Sequence, residues 1–403
     1  MTTTTARNQS KIGLVLLAYI AFISLGLPDG LLGVAWPSIR DHFARSLDSL
    51  GMMMVAGTCG YVTSSFFSGK VMAKLGVGGL LAASCALTGS ALLGYTLAPY
   101  WWVMVALAVV GGLGAGAIDA GINTYIAANF GERLMQWLHA SFGVGITMGP
   151  IIMTAGLNIF GAWRWGYVVV GSAQLLLALS FLLTMAMWQQ GGDQPKHEEE
   201  RLLTDYKTSM RETLRQPTVW ASMLMFLVYT GSELTLGAWA YTLLTEGRGI
   251  APAAAGLWAG SYWATFTIGR VLAGLYARRI SLNRLLTAAI VLALLGALLL
   301  WWNPAPAVSL LGVAITGFAV APIFPGLVSG TSERVGARHA ANTIGMQIGM
   351  AGLGGALIPA MAGVLAQRIS LEVIPVYLAV LFALLLGLYL FSTRGAPKTA
   401  MHR

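Results

Sequence analysis

The chain consists of long apolar runs separated by short polar segments. Each run has about twenty or more residues, the length that a helix needs to cross about 30 Å of hydrocarbon. The runs lack the alternation of polar and apolar residues that is typical of membrane β-barrels. The pattern predicts an all-α polytopic membrane protein with twelve spans, at 12–36, 47–69, 77–97, 101–127, 138–160, 163–188, 218–244, 253–277, 282–302, 306–329, 340–366 and 372–393.

One polar segment, 189–217, divides the chain into two apolar halves of similar length. Eleven charged residues fall within these 29 positions, so the segment must lie in water. The pattern predicts an N-terminal six-helix bundle at 1–188, a linker at 189–217 and a C-terminal six-helix bundle at 218–403.

Composition excludes several classes of protein. The chain is 57% hydrophobic and 10% charged, whereas about a quarter of the residues in a soluble domain are charged. The net charge of +9 does not indicate nucleic-acid binding, because no basic patch with interleaved aromatic residues occurs. Cys59 and Cys85 lie in apolar runs without metal-site spacing. The histidines fall at loops or span ends without an HExxH motif, so we predict no enzymatic activity, no metal and no cofactor.

The basic residues predict the orientation of the chain. With a cytoplasmic N-terminus, nineteen of the 24 Lys and Arg residues fall on the cytoplasmic side. Five fall on the other side, namely Arg40, Arg45, Arg164, Arg248 and Arg368. This positive-inside bias predicts a multi-pass protein of the inner or plasma membrane with both termini in the cytoplasm.

The two halves share short patterns in the same order, which predicts a duplicated six-helix unit. Secondary transporters are often built from such repeats, with the substrate site between the halves. The matched patterns are Gly69-Lys70-Val-Met-Ala73 with Gly269-Arg270-Val-Leu-Ala273, Gly145-x-x-x-Gly149-Pro150 with Gly345-x-x-x-Gly349 followed by Gly352, Gly354, Gly355 and Pro359, and Asp29 seven residues before Trp36 with Glu233 six residues before Trp239.

Three carboxylates lie well inside apolar runs: Asp29, Asp119 and Glu233. A carboxylate at this depth costs several kcal/mol unless it is protonated, paired or facing a wet cavity, so each is a functional candidate. The alternative is an acid near a span end that bonds helix backbones. Asn123 lies four residues after Asp119, on the same helix face.

Four stretches resemble the fucose-permease-like branch of the major facilitator superfamily, and the superfamily resemblance covers essentially the whole chain. They are Gly112-Leu-Gly-Ala-Gly-Ala-Ile-Asp119-Ala-Gly-Ile-Asn123, His139-Ala-Ser-Phe-Gly143-Val-Gly145, Tyr229-Thr-Gly-Ser-Glu233 and Gly317-Phe-Ala-Val-Ala-Pro322-Ile-Phe-Pro325.

The resemblance implies two pseudo-symmetric six-helix bundles that rock to give alternating access, with sugars or related polar solutes as typical substrates and proton coupling common. It also implies that Asp29 and Asp119 are the proton-titrating or substrate-contacting carboxylates. One position departs from the superfamily's loop signature, because Ala73 stands where an aspartate is usual. The gating residues that the signature suggests are Gly69, Lys74, Gly76, Gly269 and Arg270.

We expect further substrate contacts from polar and aromatic residues near the acids. Aromatic rings at membrane depth are more often core or lipid-facing, and amides often bond helix to helix. His139 is expected to have a packing or interfacial role. The candidate substrate-binding residues are Asn123, Glu233, Trp36, Trp239, Tyr262, Trp263, Asn342 and Gln347.

The sequence thus predicts a monomeric secondary active transporter of a small polar solute such as a sugar, with protons and the lipid bilayer as further partners. The alternative is a proton-driven exporter of drugs or amphipathic metabolites. That alternative uses the same fold, and Gly145-Ile-Thr-Met-Gly149-Pro150 is similar to the glycine-proline signature of superfamily antiporters.

Overall fold

A computed structural model describes residues 2–129, 132–189, 208–276 and 280–394. Most of the described residues are helical, and none of them lies in a strand. Most of the predicted linker, including Lys196, lies outside them. The helices are α1 Thr2–His42, α2 Leu50–Leu97, α3 Trp101–Asn129, α4 Glu132–Phe160, α5 Arg164–Leu183, α6 Met210–Thr213, α7 Pro217–Thr242, α8 Pro252–Tyr276, α9 Leu282–Trp302, α10 Pro306–Val320, α11 Ile323–Ser329, α12 Thr331–Val335, α13 Ala337–Arg368 and α14 Val373–Arg394.

The helices agree with the predicted spans. Ten segments of the described chain are long and apolar enough to cross a membrane. One of them contains α2, in which Gly76 has a φ of 70° and a ψ of 173°. That backbone conformation favours glycine and bends α2 into the second and third predicted spans. The helix α8 coincides with the eighth predicted span, so the helices are consistent with twelve.

Two predicted spans are irregular near an end. The tenth is split into α10 and α11 by a short break that contains Pro322, a residue that cannot donate a backbone hydrogen bond. The seventh continues beyond α7 as a π-helical turn at Leu243–Gly247.

The described chain forms two compact units. Unit 1 contains α1 to α5, the part of α7 from Gly237 onward and α8 up to Thr267. Unit 2 contains α6, α7 up to Leu236, the end of α8 from Ile268 and α9 to α14. The predicted division at 189–217 stays a prediction.

Unit 1 is built on close helix crossings. In α1, Gly26 and Gly30 lie against the backbone of α4, and Gly145 of α4 lies against the Ile23 carbonyl group. A buried core that includes Phe22 and Phe181 fills the space between the helices. These close crossings hold the middle of α1 against the middle of α4.

Residues of α7 and α8 complete unit 1. In α1, Gly33 lies against the carbonyl oxygen of Gly237 in α7, with no room for a side chain. In α8, Thr267 lies 3.4 Å from Thr147 of α4, measured between the two hydroxyl oxygens. Small residues therefore allow α1 and α4 to pack directly against parts of α7 and α8.

Unit 2 also contains a helix crossing that depends on glycine residues. Gly296 of α9 and Gly312 of α10 face each other at a crossing where a side chain on either glycine would meet the other helix's backbone. Leu286, Ile290 and Leu300 of α9 are fully buried.

We expect Gly145→Ala to lower the melting temperature of the protein in detergent, because a methyl group at Gly145 would overlap the Ile23 carbonyl oxygen. Overpacking of this kind costs on the order of 1–3 kcal/mol, more than the gain of about 1 kcal/mol in helix propensity. Gly345→Ala is the matched control, since open space surrounds Gly345. Equal melting temperatures for the two variants would contradict this account.

Candidate functional site

The carboxylate of Asp119 in α3 is held by two hydrogen-bond donors. The Tyr61 hydroxyl of α2 donates to one carboxylate oxygen. Asn123 Nδ2 donates to the other at 2.8 Å and to the Asp119 carbonyl oxygen at 2.9 Å. Asn123 thus lies on the predicted face, and its amide is committed to Asp119.

Glycines of α3 allow Tyr61 to reach Asp119. Gly112 lies against the Gly57 carbonyl group of α2, and Gly116 lies against the Tyr61 carbonyl group. Neither glycine could carry a side chain without moving α2 away. The close crossing of α2 and α3 therefore sets the position of the Tyr61 hydroxyl.

Asp29 lies on the neighbouring helix α1, and its side chain is exposed. It lies within electrostatic range of Tyr61, as Asp119 does, so the two carboxylates share Tyr61 as a neighbour. His139 of α4 lies within electrostatic range of Asp119. Neither Asp29 nor Asp119 forms a salt bridge with a lysine or arginine in the described part of the chain.

The third acid, Glu233, belongs to unit 2. The Tyr229 hydroxyl, one turn earlier in α7, is hydrogen-bonded to its carboxylate and lies 2.9 Å from the carbonyl oxygen of Val320. Val320 is the last residue of α10, where the tenth span breaks. Arg270 of α8 lies within electrostatic range of Glu233.

The Tyr229 hydroxyl carries one hydrogen atom, so it can fully donate only one of these two hydrogen bonds at a time. The Val320 carbonyl oxygen can only accept a hydrogen bond, and an ionised carboxylate also only accepts. The Tyr229 hydroxyl therefore links the Glu233 carboxylate to the end of α10, where the tenth span breaks.

The two units contain one repeated packing motif. In unit 1, Gly145 lies against the Ile23 carbonyl group, and in unit 2, Gly354 of α13 lies against the Leu227 carbonyl group of α7. Within the matched pattern of the eleventh span, Gly354 makes this contact, whereas a side chain at Gly345 would meet nothing within 4 Å.

The packing of Gly354 against Leu227 supports the pairing of Asp29 with Glu233 that the sequence pattern predicts. A proline follows each packed glycine after five residues, at Pro150 and Pro359. An acid follows each packed carbonyl residue after six residues, at Asp29 and Glu233. Asp29 in α1 and Glu233 in α7 thus occupy corresponding positions of the two repeats.

The four aromatic candidates lie in the interior of unit 1. Trp36, Trp239 and Tyr262 are fully buried, and Trp263 is 3% exposed. Trp36 packs against Trp101 with 5.9 Å between ring centroids. These rings are part of the packed interior in this structure, and their role as substrate contacts stays a prediction.

The two amide candidates of α13 bond one helix to another. Gln347 is fully buried and its Nε2 donates to the Ser222 hydroxyl of α7 at 2.6 Å. Asn342 donates to the Thr208 carbonyl oxygen at 2.9 Å and to the Thr213 hydroxyl at 3.1 Å. Both amides therefore support the helix-bonding alternative.

The suggested gating residues have different surroundings in the two halves. Gly69 has open space around it and Lys74 is exposed, beside the bend at Gly76. Gly269 instead packs against the Phe318 carbonyl group of α10, and Arg270 lies within electrostatic range of Glu233.

Sequence reasoning missed the two tyrosines that hold the acids. Tyr229 lies one turn before Glu233 and was part of a recognised stretch, so its spacing was a usable signal. Tyr61 contacts Asp119 from another helix, and no spacing in the sequence indicates that contact.

Comparison with known proteins supports the fold and the class of function. The model of the Major Facilitator Superfamily matches residues 18–345 and 221–401. The nucleoside transporter NupG has a similar solved structure, with a TM-score of 0.76 and 14% identity over 93% of this chain and 98% of that one. A bacterial homologue of the human lysosomal transporter Spinster gives a TM-score of 0.74 and 14% identity over 95% of this chain and 97% of that one.

Three relatives align along most of their length. Bypass of stop codon protein 6 of Saccharomyces cerevisiae is 23% identical over 94% of this chain and 82% of its own. Human sodium-dependent glucose transporter 1 is 23% identical over 86% of this chain and 72% of its own length. The glucose/mannose transporter GlcP of Bacillus subtilis is 20% identical over 87% of each chain.

The family match covers nearly the whole chain and confirms the predicted superfamily and its helical fold. Because the family and the relatives are transporters, the match also confirms the prediction that the chain is not an enzyme. The chain belongs to the major facilitator superfamily of multi-pass membrane transporters of small molecules.

Proposed function

We propose that this protein is a sugar transporter that couples the passage of a small polyhydroxylated solute to proton movement. The observation that carries the proposal is the cluster of Asp119, Tyr61 and Asn123 next to Asp29, deep within membrane-spanning helices. The names of the human and Bacillus subtilis relatives specify glucose or mannose, which supports a sugar as the substrate class.

The chemistry of the cluster suits a sugar. A hydroxyl group both donates and accepts hydrogen bonds, and a carboxylate can accept from two neighbouring hydroxyls. The exposed carboxylate of Asp29 has acceptor capacity for a solute. Asp119 already accepts from Tyr61 and Asn123, so we assign the main solute contact to Asp29 and the coupling proton to Asp119 together with Asp29.

Coupling follows from the cost of burying charge. While the cavity is open to water, an ionised carboxylate keeps its hydration. When the cavity closes, the charge loses water at a cost of several kcal/mol unless it is paired. The protonated carrier therefore passes through the closed state more easily, and proton binding accompanies the conformational change.

Sodium is the alternative coupling ion, because the human relative is named for sodium dependence. A bound cation needs oxygen atoms that are free to accept it. Both Asp119 oxygens already face hydrogen-bond donors, Tyr61 and Asn123, so neither is free to bind a sodium ion. A hydroxyl group can also accept a hydrogen bond, so Tyr61 can accommodate a protonated Asp119, which favours the proton at this position.

The alternative function is that of a proton-driven exporter of drugs or amphipathic metabolites. Uptake into vesicles under an imposed gradient separates the two, because an importer accumulates sugar when the outside is acidic. An exporter of amphipathic compounds would instead extrude dyes or drugs and ignore sugars.

We also propose that both termini face the cytoplasm of the inner or plasma membrane, because of the bias in basic residues. Single cysteines in place of Arg45 or Arg248 should then react with impermeant maleimide in intact cells. A cysteine in place of Lys196 should react only after permeabilisation. Reaction of the Lys196 position in intact cells would contradict this orientation.

Asp119→Asn should abolish uphill sugar accumulation in proteoliposomes with a pH gradient, while exchange of sugar for sugar continues. The amide mimics the protonated acid, so the loaded carrier still moves but no proton is released. Asp29→Asn should show the same pattern if it titrates, or a higher KM if it only binds the solute. Wild-type accumulation in both variants would refute the coupling assignment, and accumulation driven by sodium alone would favour the alternative ion.

Tyr61→Phe should reduce uphill accumulation at least tenfold, because a hydrogen bond to a charged group contributes about 1.5–3 kcal/mol. Tyr100→Phe is the matched control, since Tyr100 is 70% exposed and lies outside the cluster. Initial rates in proteoliposomes provide the measurement. Equal rates for the two variants would show that the Tyr61 hydroxyl does not support Asp119.

A further inference from the structure

A cavity of about 410 Å³ lies at one end of unit 1, between the end of α1 and the start of α3. Its lining includes residues 42–45, from the last residue of α1 into the turn after it, and Trp101 and Trp102, the first two residues of α3. The bias in basic residues predicts that this end of the protein faces the outside. No residue of the lining belongs to the proposed solute and proton site.

Positively charged and donor groups surround this cavity. The exposed guanidinium of Arg45 lines it and forms no hydrogen bond or ion pair in the described part of the chain. Arg164 Nη2 lies 2.9 Å from Nε2 of His42, which also lines the cavity. Because arginine only donates hydrogen bonds, His42 accepts at Nε2 and carries its hydrogen on Nδ1. The His42 ring therefore has a further donor to offer.

The charge beside this cavity is not neutralised by nearby acids. Two of the five basic residues that are predicted to lie outside, Arg45 and Arg164, are gathered here, although arginine is uncommon on that side of a membrane. The acids of the neighbouring turn have other partners, since Asp41 lies 3.6 Å from Arg40 and Asp48 is hydrogen-bonded to a serine hydroxyl. Neither acid lines the cavity, which therefore has an excess of positive charge.

The start of α3 adds neutral donors to the same cavity. The first N–H groups of a helix have no acceptor within the helix, and together with the helix dipole they favour an anion. No acidic residue lies in the first turn of α3. Trp101 is 2% exposed, and its buried Nε1 donor has no partner in the part of the chain that the structure describes. A ligand with acceptor oxygens would supply the partner that these donors lack.

We propose that this cavity binds the phosphate group of an anionic phospholipid from the outer leaflet of the membrane. Arginine pairs with phosphate oxygens through parallel hydrogen bonds, and the buried indole and the start of α3 offer further donors to the same group. Trp102 is 64% exposed, and tryptophan rings concentrate at the level of the lipid headgroups. The ring beside the cavity therefore favours a lipid over a dissolved anion as the ligand.

The lipid site goes beyond the proposed function, because binding of a lipid requires neither a solute nor a gradient. A phosphate group in the cavity connects the end of α1 with the start of α3 through one shared anion. Lipid recognition by a basic pocket among membrane helices has the same physical basis at other headgroups.

Native mass spectrometry of the full chain, purified in detergent and titrated with phosphatidylglycerol, measures the affinity of the tightest lipid site. Arg45→Gln should weaken this affinity roughly tenfold, because a hydrogen bond to a charged group is lost. Arg45→Lys should lose less, since lysine keeps the charge but not the paired hydrogen bonds. Salt should weaken binding to the parent more than to Arg45→Gln, because salt screens exposed charges.

Arg368→Gln is the matched control. Arg368 is another exposed arginine that is predicted to lie outside, but it ends α13 in unit 2, away from the lining of the cavity. The variant loses the same charge as Arg45→Gln and should bind phosphatidylglycerol as the parent does. Equal affinities of Arg45→Gln and Arg368→Gln would overturn the proposal.

Two further ligands separate the lipid from its parts. Diacylglycerol with the same acyl chains lacks the phosphate, and inorganic phosphate lacks the chains. We expect diacylglycerol to bind equally to the parent and to Arg45→Gln, and we expect millimolar inorganic phosphate to leave phosphatidylglycerol bound. Diacylglycerol binding that depends on Arg45 would contradict recognition of the phosphate, and displacement of the lipid by inorganic phosphate would indicate a site for a free anion. Either result would overturn the lipid assignment.

Discussion

Polar groups in hydrocarbon have no water to bond, so each must find its partner within the protein. This constraint determines the arrangement of the three acids within the spans. Asp119 receives hydrogen bonds from Tyr61 and Asn123, and Glu233 is bonded to Tyr229. Asp29 is exposed, as suits a group that exchanges a proton or contacts a solute. The same constraint makes Tyr61 part of the proposed coupling machinery.

Close backbone contact makes those partnerships possible. Tyr61 reaches Asp119 only because glycines of α3 let α2 approach within van der Waals contact. The same kind of contact, glycine against carbonyl group, recurs between α1 and α4 and between α7 and α13. Close backbone approach at small residues such as glycine is typical of membrane helices, because dispersion rather than the hydrophobic effect drives their association. The repeated contact also places Asp29 and Glu233 at corresponding positions of the two repeats.

The proposed cycle uses interactions of intermediate strength. A carboxylate that changes its protonation state can switch at low cost while its cavity is open to water. Asp119 is supported by the neutral groups Tyr61 and Asn123, which satisfy its oxygens without a permanent charge that would fix one state.

The sequence determined what depends on one helix at a time. Lengths of apolar runs gave the spans, the position of an acid along its run gave the functional candidates, and a spacing of four placed Asn123 beside Asp119. The tertiary structure decided what depends on how helices cross: the Tyr61 contact, the burial of Trp36 in the core, the use of Gln347 between helices and the pairing of Gly145 with Gly354. Hydrophobic periodicity specifies which residues leave water, but it contains no information about the register in which two apolar surfaces meet. That register is set by the fit of small residues against backbone, which exists only once the helices are packed.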